Sequence, residues 1–132
     1  MSNICGTTPR LMRAPGGNYG QFQRAKAGLP LIQWSLISGD AEGDHSSAKL
    51  AQIAGNVRSG TDAGDIVLMH DMNPYSPQYS QEILDRLEER NILCVTVEEL
   101  MIHYGAEPEA DKVYFSFNGM PVPPITEGSN AQ

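Results

Sequence analysis

The stretch "DIVLMHDMNP", residues 65–74, runs from an apolar segment straight into a histidine and an aspartate, His70 and Asp71. Histidine changes charge near neutral pH, so one held at the end of a buried strand can deliver or accept a proton. Arg13 and Asp40 also follow apolar segments, "RLM" and "LPLIQWSLIS". A carboxylate can hold an imidazole in its protonated form, and a guanidinium can orient a carboxylate through charge-assisted bonds. Proton transfer is therefore the chemistry these side chains can do together. Each also has a plainer use. His70 can bond a loop carbonyl, Arg13 can form a surface ion pair, and Asp40 can be a solvated turn residue within "SGDAEGD".

The elements around them read as an alternation. Arg10 to Arg13 is a short strand that ends in a Pro-Gly-Gly turn. Asn18 caps a helix over residues 19–27, with Gln21 as its capping-box partner, and Gly28 ends it. "LPLIQWSLIS" is one near-continuous apolar strand of the parallel-sheet kind. A helix over Asp44 to Arg58 turns Leu50, Ile53, Ala54 and Val57 inward, with Asp44 and His45 at its start. "IVLMH" is the third strand. Ser76 and Pro77 open the next helix, the serine as cap, with Ile83, Leu84 and Leu87 on its inner face. "ILCVTV" is a fourth strand with Cys94 as a buried thiol. Thr96 and Glu99 form a capping box for a short helix to about Tyr104. "KVYFSF" is a last edge strand, and the chain from Asn118 on has the composition of a tail.

Strands that are apolar on both faces and alternate with amphipathic helices specify parallel α/β architecture. Ligands of such folds bind at the C-terminal ends of the strands, where Arg13, Asp40 and His70 fall. With 132 residues, 40% of them hydrophobic, the chain supports one core, expected over residues 1–117, followed by a tail over 118–132. A net charge of −7 argues against nucleic acid or an anionic membrane as the main partner. No stretch reads as a signal peptide or a membrane span, and two cysteines make no disulfide framework. A Gly-x-Ser-x-Gly nucleophile elbow is absent, and so is a His-x-x-x-His pair. His70 and Asp71, as neighbours on a strand, are expected to point to opposite faces and to chelate poorly. No metal site is expected on this chain.

The strand ends resemble the polysaccharide deacetylases, the NodB-homology domain of carbohydrate esterase family 4. The resemblance rests on "RAPGG", which matches the family's Arg-x-Pro-x-Gly turn with Arg13, Pro15 and Gly17. It rests also on "LMH", which matches a Leu-x-His at a strand end with Leu68 and His70, and on "ILDRLEERNILCVTVEEL", like the family's closing helix and strand. Between them "WSLISGDA" keeps Trp34 and Asp40 of the fourth motif, with Ile37 in place of its first aspartate and Ala41 in place of its second tryptophan. The family's first two motifs, with the catalytic-base aspartate and the metal ligands, have no counterpart before Arg13.

The resemblance therefore implies the C-terminal half of a distorted (β/α) barrel. It implies a metal-dependent hydrolase that removes N-acetyl or O-acetyl groups from a glycan such as peptidoglycan, a chitin-like polymer or xylan. The divalent metal, zinc or cobalt, would have its ligands off this chain. His70 would be the general acid, Arg13 the residue orienting the base, and Asp40 the partner of His70. Leu68 would line the acetyl pocket, Trp34 would form a sugar-facing wall or else core, and Pro15, Gly16 and Gly17 would shape a turn near the ligand. This chain alone would be inactive, and would associate with the missing half or with itself. Most of the family works outside the cell or at its surface. The alternative is a non-catalytic carbohydrate-binding or interaction domain derived from the same fold.

Overall fold

The computed structural model describes residues 6–20, 27–42, 46–71 and 74–118. Its elements are β1 (Leu31–Ile32), β2 (Leu36–Ile37), α1 (Ser47–Gly60), β3 (Val67–Leu68), α2 (Ser76–Glu88), α3 (Val97–Tyr104) and β4 (Val113–Tyr114). All the ladders between named strands are parallel. In one, β1 pairs with β4 in the register Leu31–Val113 and Ile32–Tyr114; in the other, β2 pairs with β3 in the register Leu36–Val67 and Ile37–Leu68. The fold is thus the α/β architecture the alternation predicts.

The strands are shorter than their apolar runs. Arg10 to Arg13 contributes a single parallel bridge, Met12 to Leu31. The run through Leu31–Ile37 is two strands rather than one, because the chain changes neighbours at Trp34 and Ser35. Gln33 N–H donates to Tyr114 O, while Ser35 N–H donates to Ile66 O. At the crossing Ser35 Oγ donates to Asp65 Oδ1 at 2.7 Å and accepts from Ile66 N. A side chain thereby replaces a ladder bond, as serine does readily.

The helices follow their apolar spacing closely. Ile53, Ala54 and Val57 of α1 meet Tyr79, Ile83 and Leu87 of α2 in one buried cluster, which Leu36, Val67 and Met69 join from the sheet. Each such large side chain contributes roughly 1.5–3 kcal/mol when withdrawn from water. Leu84 is the exception to the expected inner face: it is half exposed. The cap of α1 is Ser46, whose hydroxyl accepts from Lys49 N, so the helix begins later than Asp44. Asp44 and His45 lie outside the described residues, as do residues 21–26 of the helix expected over 19–27. The capping box of Thr96 and Glu99 on α3 is present with both its bonds, and Gly105 ends that helix in the left-handed conformation. A second cluster gathers Ile32, Ile66, Met101, Tyr104 and Phe117.

The fourth apolar strand is not formed. Residues 92–96 join no ladder among the described residues, and Leu93 is 83% exposed. Cys94 is an exposed free thiol, not a buried one. The reason is the lack of a neighbour. Apolar composition favours a strand only where another edge accepts its hydrogen bonds, and none of the described residues does so here. An apolar cleft of about 670 Å³ lies instead between this segment and β3, lined by Val67, Met69, Leu87, Leu93 and Val95 among others.

Candidate active site

Asp40 and His70 lie past the C-terminal ends of β2 and β3, and the parallel register of those strands brings them level. Asp40 is fully buried, which overturns its reading as a solvated turn residue. Its Oδ2 accepts the backbone N–H of His70 at 2.7 Å, and its Oδ1 lies 2.9 Å from His70 Nδ1. Ser38 Oγ donates to the same Oδ1 at 2.7 Å, and Asp40 N–H donates back to Ser38 Oγ. Burial pushes the carboxyl up, but the bonds from the His70 ring, the His70 amide and Ser38 together outweigh it, and the pKa lies below the ordinary value. An ionised Asp40 has only acceptors to offer, so His70 Nδ1 carries the proton of their bond. This leaves Nε2 as the outward nitrogen of a side chain that is 43% exposed.

The loop after β3 is pinned from behind. Ser76, expected to cap α2, instead donates its hydroxyl to His70 O at 2.7 Å, while Tyr75 precedes the helix without a side-chain cap. The helix start thus clamps the backbone of His70 rather than its own amides. His70 and Asp71 both line a shallow depression with Ser76 and Pro77, contrary to the alternation expected of a strand. The ladder of β3 ends at Leu68, so strand alternation no longer governs the two residues. Leu68 itself is half-buried beside Ile37, which is 61% exposed.

Arg13 follows the Met12 bridge and therefore lies at the same end of its parallel neighbour β1. Its Nε and Nη2 donate to the carbonyls of Ile32 and Gln33, each at 3.3 Å, and its guanidinium lies 5.9 Å from the centre of the Trp34 ring. Arg13 is thus tied to the end of β1 and to Trp34, and the Asp40–His70 pair forms without it. Trp34 is half-buried and packs on the second cluster, so it serves as core and as surface at once. The turn Pro15–Gly17 closes over it: a Cβ on Gly17, whose φ is +71°, would sit 2.7 Å from Trp34 Cη2. Gly16 shares the positive φ, so the two glycines let the turn lie flat on the indole.

Among the described residues no group of three or more His, Cys, Asp or Glu side chains converges in a way that could hold a metal ion. The buried carboxylate is held by the ring and amide of His70 and by Ser38. The described residues therefore do not fit a metal centre. No helix among them is long and apolar enough to cross a membrane. One element that the sequence did not single out is Ser38, whose hydroxyl also donates to the carboxylate; its only signal was its position two residues before Asp40.

The chain is parallel α/β, with a buried aspartate bonded to a histidine at its strand ends. No protein-family model matches the chain. It is 33% identical over 110 residues to the peptidoglycan-N-acetylglucosamine deacetylase PgdA of Listeria monocytogenes, an overlap of 83% of this chain and 22% of that protein. It superposes with a TM-score of 0.74 on the Xyl-CE4 domain of a multidomain xylanase from the hindgut metagenome of Trinervitermes trinervoides, at 27% identity over 89% of this chain and 57% of that one. The TM-score is also 0.74 for a family 4 acetyl xylan esterase from Clostridium thermocellum in complex with a cobalt ion, at 25% identity over 87% and 57% of the two chains. Over most of its length the chain is thus similar to polysaccharide deacetylases of carbohydrate esterase family 4. It spans about a fifth of the curated relative and a little over half of the solved chains.

Proposed function

We propose that this chain is the proton-delivering and substrate-positioning part of a deacetylase that removes acetyl groups from a glycan. The observation that carries the reading is the Asp40–His70 bond at the strand ends, which leaves Nε2 facing outward. Hydrolysis of an N-acetyl group requires a polarised carbonyl, an activated water and a proton for the departing amine. His70 supplies the third from Nε2 as the doubly protonated ring, and Asp40 offsets the ring's positive charge at Nδ1. Arg13 orients the base that activates water. Leu68 bounds the acetyl pocket, Trp34 gives the sugar a wall, and the turn of Pro15, Gly16 and Gly17 brings backbone close to the ligand. The first two requirements fall to groups that the described residues do not supply: the family's zinc or cobalt ion, bound by ligands off this chain, and its basic carboxylate.

The glycan is peptidoglycan or xylan, as the names of the relatives suggest, or a chitin-like polymer, and the protein works outside the cell or at its surface. The apolar cleft beside residues 92–96 supports association with the remainder of such a domain or with a second copy. The chain alone is then inactive.

A second reading has its own observation. Ile37 stands exposed on β2, where the resemblance places an aspartate. That favours a non-catalytic glycan-binding domain. Acetate release from an N-acetylglucosamine oligomer separates the two, measured on the chain joined by a separately made remainder of the domain. His70→Ala is expected to lower turnover by roughly two to four orders of magnitude with the fold intact. Unchanged turnover removes His70 from the chemistry, and an inactive complex of the unaltered halves favours the second reading.

A further inference from the structure

Two aromatic side chains stand in the open at the same end of the sheet as Arg13 and Trp34. Tyr19 is 42% and Phe115 43% exposed, and their rings meet edge to face, 5.5 Å between centres and 85° between planes. The chain positions of these residues explain how they arrive there. Phe115 is the first residue past β4, whose last pair is Tyr114 with Ile32, so it stands level with Gln33 and next to Trp34 in the register. Tyr114 and Phe117 pack in the second core cluster, where their rings stack at 6.0 Å, while Phe115 between them stays exposed. Tyr19 follows the Pro15–Gly17 turn, which lies against Trp34. Neither aromatic belongs to either core cluster.

An exposed perpendicular pair is a poor way to build a core and a good way to meet a sugar. One ring fixes the other by its edge, and the faces stay open. The axial C–H face of a β-linked pyranose is apolar and flat, and it packs on such a face with its hydroxyls still in water. A polar donor for a sugar stands at the same end in the exposed Arg13.

We propose that Tyr19 and Phe115 form a pyranose-binding subsite that holds the glycan beside the sugar handled at Trp34. This rests on the deacetylase reading for its ligand and adds residues outside the motifs of that reading. The subsite sets affinity for oligomers and takes no part in proton transfer. It recognises the pyranose face, so the glycan's acetyl groups are not needed for it.

The test is calorimetric titration of the full chain with tetramers of N-acetylglucosamine, of glucosamine and of xylose. The expected result is measurable binding, weakened about two- to tenfold by Tyr19→Ala and by Phe115→Ala, with Tyr19→Phe and Phe115→Tyr near the unaltered chain. Equal binding of the N-acetylglucosamine and glucosamine tetramers supports recognition of the ring, and preference for xylose assigns the pentose polymer. Thermal melting confirms that the alanine variants are folded. No binding by the unaltered chain at millimolar sugar, or equal binding by folded alanine variants, overturns the subsite. His70→Ala is expected to leave this binding unchanged. Tyr19- and Phe115-dependent binding without acetate release by the complete domain would sink the deacetylase reading and leave the subsite standing.

Discussion

Asp40→Asn separates the charge of the buried carboxylate from its shape. In the unaltered protein Oδ2 takes the His70 amide, and Oδ1 takes the ring nitrogen and the Ser38 hydroxyl. Asparagine must place one NH2 group among these donors. The His70 amide cannot become an acceptor, so the oxygen stays with it. The NH2 then faces the ring nitrogen and the serine, both of which can accept. The ring is driven to the tautomer with the proton on Nε2. Two or three charge-assisted bonds become neutral ones at a cost of roughly 0.5–1 kcal/mol each, about 2 kcal/mol in all. For a domain of this size that is a fall of ~5–10 °C in the midpoint of thermal unfolding. The assay is long-range proton–nitrogen NMR of the imidazole near neutral pH, alongside thermal melting. Nδ1–H is expected in the unaltered protein and Nε2–H in the variant. A ring that keeps Nδ1–H in the variant would refute the argument, because its proton would then not be set by the carboxylate. A loss above about 4 kcal/mol would refute the accommodation of asparagine, since it would signal buried donors left without partners.

Asp40 also makes stability depend on pH with a definite sign. Its folded pKa lies below the ordinary 3.8, so its contribution is complete above that value and is lost as pH falls through the folded value. Urea unfolding between about pH 2 and 6 should show this acid limb in the unaltered protein and lack its Asp40 part in Asp40→Asn. Gly17→Ala places a methyl group 2.7 Å from Trp34 Cη2 at a φ of +71°. It is expected to cost ~1–3 kcal/mol and to shift tryptophan fluorescence as the indole yields; an unchanged spectrum would mean that the turn does not rest on Trp34.

What could be read from the chain was what local chemistry decides. The spacing of Ile53, Ala54 and Val57 marks a buried helix face wherever the helix packs, and Thr96 with Glu99 caps a helix through bonds three residues apart. The strand-ending position of His70 and the α/β alternation were legible for the same reason. Other features depend on register between distant segments. Whether Asp40 is solvated or buried depends on the Ile37–Leu68 pairing that sets it against a ring thirty residues on. Ser76 reads as a cap, yet its hydroxyl bonds His70 O, six residues back. Leu93, Cys94 and Val95 have strand composition but find no edge among the described residues, so propensity could not become structure. Tyr19 and Phe115 lie ninety-six residues apart and carry no motif; only the pairing of β4 with β1 brings their rings together. Sequence acts through neighbours a turn or two away, and contacts between side chains at strand ends are settled by how the strands align.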